Sequence, residues 1–219
     1  MHNGDESLAD LLGGRRAALD SVVPVVGFAG GWLAGGRSIA LGAGIAVLAG
    51  AAVAAWRLRQ RRAPAATVVS LLLVCLGAIV ALHTGRAEDF FLVRLLTNAA
   101  SALAWAGSIL VRWPFLGLIV GTVLGQKARW RRDPPLLRAY QAASWVWVGQ
   151  YLVRLLIFVP LWWAGQVTWL ATAQAVLTWP LVAGCLTASW WVLRRALPPE
   201  HPGLRNPVPA PSDAGVSGP

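Results

Sequence analysis

Arg154 is the residue whose surroundings most strongly suggest chemistry, because it lies near the middle of a long apolar stretch. A charged side chain at the centre of a bilayer costs roughly 2.5–3.5 kcal/mol on insertion scales, so it must face protein or a wet cavity. Polar residues recur before it at helical spacing and form one stripe of Ser144, Trp147, Tyr151 and Arg154, with Gln150 one turn below. We expect this stripe to face the interior of a helix bundle rather than lipid.

The carboxylates that could neutralise Arg154 lie at the start of another apolar stretch. We predict one outward-facing polar cluster, which comprises Arg86, Glu88, Asp89, Arg94, Asn98 and Arg154. Two interpretations are open. Intramembrane ionisable groups often mark a substrate, lipid-headgroup or proton site. Two carboxylates that nearly cancel three arginines are equally typical of a buried ion-pair network that fixes the register of the helices.

Three further residues are secondary candidates: Asp20, His83 and Gln150. Asp20 lies where a helix N-terminus is expected to enter the bilayer, so a favourable interaction with the helix dipole accounts for it. His83 is more typical of an interface residue than of a proton relay.

Motifs of soluble-type catalysis are missing from the sequence. It contains no nucleophile–base pair, phosphate-binding loop, dinucleotide fingerprint or metal-ligand spacing. Cys75 and Cys185 each lie within an apolar stretch without a second Cys or a His nearby, so we interpret them as small buried side chains. We therefore predict a protein that is not an enzyme and has no catalytic residue, metal or cofactor.

The elements that carry these residues are apolar segments of bilayer length. The chain of 219 residues is 57% hydrophobic and only 13% charged, with a mean hydropathy of +0.58. This composition is typical of a membrane domain. We predict an all-α fold, a polytopic transmembrane helical bundle of about six spans: 19–35, 39–56, 65–82, 90–111, 139–164 and 168–193.

One apolar segment, 113–126, is too short for a further span. Its fourteen residues would reach about 21 Å as a helix, against a hydrocarbon core of roughly 30 Å. If it crossed, the basic block around Arg131 would lie opposite to every other basic cluster. We predict a short re-entrant or interfacial half-helix.

Basic residues fall in every other gap between the apolar stretches, and Lys and Arg near membrane ends stay on the cytoplasmic side. The pattern predicts a multi-pass protein of the bacterial cytoplasmic membrane with both termini in the cytoplasm. The net charge of +10 lies in short turns, which favours anionic lipid headgroups as partners and argues against nucleic acid. We predict a cytoplasmic N-terminal segment at 1–18, a transmembrane domain at 19–195 and a disordered Pro-rich cytoplasmic tail at 196–219.

Three runs resemble an actinobacterial family of uncharacterised membrane proteins, the domain-of-unknown-function family 3159. They are residues 12–21, the run Thr84-Gly-Arg-Ala-Glu-Asp-Phe-Phe-Leu92 with Asn98, and residues 108–114 with Gly117. The resemblance covers about residues 8–195. The chain departs from the family pattern at Val93-Arg94, where Pro-Gly is common, so the resemblance does not extend to Arg94 as a shared site residue. More distantly, the arrangement resembles the intracellular septation protein A family (YciB).

The septation-protein resemblance implies a structural or interaction role in cell-envelope maintenance or division. Such a role would involve other membrane proteins or self-association. The alternative is a small-solute or lipid transporter that uses the intramembrane cluster of arginines and carboxylates.

Overall fold

The computed structural model describes residues 14–60, 64–125, 128–198, 200–204 and 207–208, and in the first helix it describes side chains from Val22 onward. Within these ranges the chain forms helices and no strand. Seven α-helices follow one another: α1 Gly14–Ala34, α2 Ile39–Arg59, α3 Pro64–Thr84, α4 Leu92–Leu110, α5 Phe115–Val123, α6 Pro134–Trp163 and α7 Val167–Ala196. Two short 3-10 helices, Ala87–Phe91 and Arg129–Arg132, precede α4 and α6.

Five of these segments are long and apolar enough to cross a membrane by length and composition: α2, residues 65–84, residues 87–110, α6 and α7. In α1 the apolar part is the shorter segment Val22–Ala34. Large apolar side chains lie on the outer faces of the helices, and Leu48, Leu103 and Leu156 are each more than 70% exposed. Faces of this kind suit lipid, where helices satisfy their own backbone hydrogen bonds. The predicted all-α transmembrane bundle is confirmed.

A short helix within 113–126 is present as predicted, while its re-entrant or interfacial position stays a prediction. The α5 helix has nine residues, which span only about 14 Å at 1.5 Å per residue. Gly117 of α5 packs against the ring of Trp130, and a Cβ at this glycine would lie 3.0 Å from the ring.

Helices α1 and α2 form a close hairpin through small residues. A Cβ at Gly42 would lie 2.9 Å from the carbonyl oxygen of Phe28, so only a glycine allows this approach. The turn uses Gly36 and Arg37 in the left-handed region, and the Ser38 side chain then caps α2 by accepting from the Leu41 N–H. Close contact of this kind supplies dispersion energy between helices in lipid, where no hydrophobic drive exists.

The chain divides into two units. Unit 1 contains residues 1–97 and 155–179, and unit 2 contains residues 98–154 and 180–219. The core of unit 1 is built around Phe28, whose ring stacks on Phe90 at 4.0 Å and meets Phe91 edge-on at 6.1 Å. Offset and edge-to-face rings are the preferred aromatic geometries.

The core of unit 2 contains two aromatic groups. Trp105 stacks on Trp147 with ring centroids 5.2 Å apart. Trp130 is fully buried and meets Tyr140 edge-on at 5.6 Å. The 3-10 helix that carries Trp130 is therefore anchored to α6 by its only apolar side chain, while its three arginines stay exposed.

Two glycines of α2 allow the hairpin to be tested. We expect Gly42→Ala to destabilise the protein by about 1–3 kcal/mol, because the added methyl group collides with the backbone of α1. Gly44→Ala should be neutral or stabilising, since Gly44 has nothing within 4 Å of a Cβ and alanine favours helix. The midpoint of thermal unfolding in detergent measures both, and equal midpoints for the two variants would contradict the hairpin.

Candidate functional site

The segment before α4 folds back against α3. Gly85 ends α3 in the left-handed region, and Arg86 is extended before the 3-10 helix. A Cβ at Gly77 would lie 2.7 Å from the carbonyl oxygen of Phe90, so the backbone of the 3-10 helix lies directly on α3. Ala87, Asp89, Phe90 and Phe91 are buried as a result.

Three members of the predicted cluster meet at this fold-back. Arg86 Nε donates to Glu88 Oε1 at 2.8 Å. Asp89 is 4% exposed, and its Oδ1 accepts the indole N–H of Trp162 at 2.8 Å. The Arg86 guanidinium also lies 5.3 Å from the centre of the Trp162 ring. We name this group of Arg86, Glu88, Asp89 and Trp162 the Arg86 network.

The Arg86 network is stabilised electrostatically. The hydrogen bond to Glu88 and the charge of Asp89 hold the pKa of Arg86 above its ordinary value, against the opposing effect of burial. Each polar group of the network has a partner within it. The Arg86–Glu88 pair joins two residues of one segment, and the Arg86 side chain is 49% exposed, so the pair alone does not fix the register of the helices and both interpretations of the cluster stay predictions.

Arg94 has different surroundings, because it lines a cavity of about 160 Å³ within unit 1. The polar part of the cavity wall comes from four helices and comprises Arg57, Thr67, Ser70, Arg94, Thr97 and Gln174. The remaining wall is apolar and includes Phe90 and Phe91. We name this the Arg94 cavity.

Gln174 is, with Thr67, one of the two buried polar residues in the described wall of the Arg94 cavity. It is 6% exposed, and its Oε1 has no hydrogen-bond partner in the part of the chain that the structure describes. Buried acceptors are nearly always paired, so an exception in a cavity wall indicates a place for a ligand or a water.

Asn98, Gln150 and Arg154 lie in unit 2 and are all buried, at 4%, 5% and 6% exposure. Ser144 on the same stripe is fully buried, and the Trp147 indole N–H donates to Ser189 Oγ at 3.1 Å. Ser144, Gln150 and Arg154 of the predicted stripe are thus buried, and Trp147 and Tyr151 are partly buried.

The predicted cluster is thus distributed over both units. Arg86, Glu88, Asp89 and Arg94 belong to unit 1, and Asn98 and Arg154 belong to unit 2. A single six-residue cluster stays a prediction. Of the secondary candidates, His83 is exposed at the end of α3, and the side chain of Asp20 lies outside the described residues.

Sequence reasoning missed a second buried carboxylate, Asp133. Its Oδ1 accepts the Leu136 N–H at 3.1 Å and so caps α6. Its Oδ2 accepts from His201 Nε2 and from the Val208 N–H, both at 2.8 Å. Burial alone would raise the pKa of Asp133, but these hydrogen bonds outweigh it and hold the pKa below its ordinary value.

Asp133 contacts residues of the C-terminal segment that was predicted to be disordered. Disorder was predicted for all of 196–219, yet His201 and Val208 bind Asp133, and Leu204 packs on the core of unit 2. The rest of that segment, residues 199, 205–206 and 209–219, lies outside the described residues. The sequence did contain a signal for the role of Asp133 at the start of α6. An Asp directly before a Pro, here Pro134, is a typical N-cap followed by a typical first helical residue.

A comparison with known protein families identifies the family of this chain. The model of a protein family of unknown function, DUF3159, matches residues 12–200. The chain belongs to the DUF3159 family. Neither the curated proteins nor the solved structures contain a match to it.

The DUF3159 match covers the Arg86 network, the Arg94 cavity and Asp133, while His201 and Val208 follow its last residue. Together with five long apolar helices, it shows a multi-pass integral membrane protein of a family whose function is unknown. The chemistry must therefore be argued from the site itself.

Adjacent tryptophans of this DUF3159 protein test the Arg86 network. We expect Trp162→Phe to destabilise the fold by about 1–3 kcal/mol, because Asp89 loses a buried donor. Trp163→Phe is the control, since Trp163 is 80% exposed and should tolerate the change. Thermal unfolding in detergent gives both values. A similar small effect for the two variants would show that the indole hydrogen bond contributes nothing.

The lowered pKa of Asp133 predicts that the stability of the fold depends on pH. A carboxylate whose pKa is lowered by folding stabilises the protein above its unfolded pKa of about 3.9, and this contribution is lost as pH falls through the folded pKa. Asp133→Asn should therefore be less stable than the wild type at neutral pH, and the difference should shrink in the acid range. The measurement is the thermal midpoint of both proteins between neutral and strongly acidic pH. A constant difference would contradict the role of the ionised carboxylate.

Proposed function

We propose that this integral membrane protein binds a small solute or a lipid headgroup in the Arg94 cavity and handles it as a transporter does. One observation carries the proposal. Two arginines, three hydroxyl side chains and a buried amide line one cavity inside helices that otherwise face lipid. Polar groups within membrane-length helices are costly, and they are retained where they serve a substrate or ion pathway. The proposed activity is binding and passage rather than catalysis.

A role in envelope maintenance or division rests on the resemblance to the septation protein A family. A scaffold needs complementary surfaces, and a polar cavity within its helices adds nothing to that task. The exposed side chains of the described helices are mostly single apolar residues of the kind that face lipid. The geometry therefore favours solute or lipid handling.

We further propose that the basic end of unit 2 lies at the cytoplasmic headgroups. Arg131 lies 4.0 Å from the centre of the Trp113 ring, and Arg195 lies 3.9 Å from that of Trp191. Tryptophan prefers the membrane interface, and arginine beside it favours anionic headgroups. These contacts support a position at a membrane interface for this end of unit 2, and the alternation of basic residues along the sequence supports the cytoplasmic side.

Cysteine labelling tests the cavity. In a Cys75→Ala, Cys185→Ala background, Ser70→Cys places a thiol in the cavity wall. Only the thiolate reacts, and it forms where water is present. A charged methanethiosulfonate reagent should modify this cysteine much faster than Leu72→Cys, which replaces a 61% exposed apolar residue on the same helix. Equal slow labelling at both positions would refute an aqueous site in the membrane domain.

A further inference from the structure

We propose that the arginines at the basic end of unit 2 form a binding surface for the phosphate groups of acidic phospholipids. The inference rests on the position at the headgroups proposed above, and it names the partner and the residues that bind it. Six exposed arginines define this surface, which we name the arginine surface: Arg112, Arg129, Arg131, Arg132, Arg194 and Arg195.

The fold of unit 2 brings these arginines to one end. They come from the end of α4, from the 3-10 helix before α6 and from the last turn of α7. One core cluster joins these segments, because it contains Ile109 of α4, Trp130 of the 3-10 helix and Leu193 of α7. Near the start of α6, Gln141 Nε2 also donates to the Ile109 carbonyl oxygen at 3.2 Å. Residues far apart in sequence therefore contribute to a single cationic surface.

The described carboxylates of unit 2, Asp133 and Glu200, do not neutralise the arginine surface. The Asp133 oxygens accept from the Leu136 N–H, from His201 and from the Val208 N–H, so none of these donors is an arginine. Glu200 forms no ion pair within the part of the chain that the structure describes. The cap of α6 and the C-terminal segment thus occupy Asp133, and the arginines stay available to an external anion.

Half of the arginine surface is held in place by tryptophan rings. The guanidinium groups lie 4.0, 4.8 and 3.9 Å from the ring centres in the pairs Arg131–Trp113, Arg194–Trp190 and Arg195–Trp191. Stacking uses the face of a guanidinium, whereas its N–H donors lie along the edge and match two phosphate oxygens. A guanidinium that is already fixed loses less conformational entropy when it binds.

The same tryptophans indicate lipid as the source of the phosphate. Trp113, Trp190 and Trp191 are 39%, 51% and 54% exposed, at the ends of apolar helices. An indole ring favours the depth of the headgroups, and basic clusters beside membrane-spanning helices attract acidic lipids. The anions nearest to these arginines are therefore lipid phosphates.

Native mass spectrometry of the full chain in a neutral detergent tests this partner, because it resolves individual bound lipids. The probes are phosphatidylglycerol and phosphatidylcholine with identical acyl chains. We expect the wild type to bind the first phosphatidylglycerol about fivefold more tightly than phosphatidylcholine, or better, since one arginine near an acidic headgroup accounts for about that factor.

Variants locate the binding surface. Arg131→Gln should weaken phosphatidylglycerol about fivefold, and the double variant Arg131→Gln/Arg195→Gln about twentyfold, because each removes a donor stacked on a ring. The affinity for phosphatidylcholine should stay constant, which also shows that the variants are folded. Arg37→Gln is the matched control. Arg37 is exposed and lies 5.8 Å from the centre of the Trp32 ring, but it is the single arginine of the turn between α1 and α2.

Equal affinity of the wild type for the two lipids would overturn the inference. Equal losses for Arg131→Gln and Arg37→Gln would also overturn it, because a general attraction by any arginine would then account for the preference. Displacement of phosphatidylglycerol by an equimolar RNA oligonucleotide would assign the arginine surface to a soluble polyanion and contradict a lipid partner.

The position at the cytoplasmic headgroups is tested separately. In the Cys75→Ala, Cys185→Ala background, Ala128→Cys introduces an exposed thiol beside Arg129. A membrane-impermeant maleimide should label this thiol only after the cells are opened. Labelling of intact cells would overturn the cytoplasmic position proposed above, whereas the lipid affinities measured in detergent would still decide the arginine surface.

Discussion

The cost of placing a polar group in apolar surroundings governs this structure. Helices of membrane length satisfy their own backbone hydrogen bonds, but polar side chains need separate partners. Asp89 has the Trp162 indole, and Asp133 has the Leu136 and Val208 backbone together with His201. Of the described buried carboxylates, Asp89 thus accepts one hydrogen bond and Asp133 accepts three. The Gln174 side-chain oxygen is one of several buried polar atoms that have no hydrogen-bond partner among the described residues, and it lies in the wall of a cavity.

The same constraint shapes the packing. Because helices in lipid gain no hydrophobic free energy when they associate, contact between them depends on close approach of their backbones. Gly42 admits the backbone of α1, and Gly77 admits the 3-10 helix before α4. The second contact matters for the site, since it buries Asp89 and sets Phe90 and Phe91 against the core of unit 1. A glycine on α3 therefore positions both the Arg86 network and part of the cavity wall.

Hydropathy and length were enough to predict the helices, because crossing segments must be apolar over about 20 residues. Hydropathy and length did not predict the residue at which a helix begins or the conformation of the chain just before it. The fifth span was placed at 139–164, but α6 begins at Pro134, since Asp133 caps it ahead of the apolar run. The fold-back at Ala87–Phe91 was missed for a similar reason. Nothing in that run has a helical or strand period, and its conformation depends on a glycine ten residues earlier.

The candidate residues were predicted by type but not by grouping. A rare charge in an apolar run marks a residue as constrained, and Arg94 and Arg154 were found in this way, whereas Arg86 and Asp89 were chosen as charges of the polar segment before the fourth span. Which of them face each other depends on tertiary contacts that spacing along one helix cannot supply. The structure separates two environments that the sequence combined. Arg86 pairs with Glu88, beside Asp89, which binds Trp162, whereas Arg94 lines a cavity with Gln174. The two interpretations of the cluster therefore stay predictions that concern different residues. Arg86 forms a local ion pair with Glu88, whereas Arg94 lies in the wall of a cavity that offers space for a ligand.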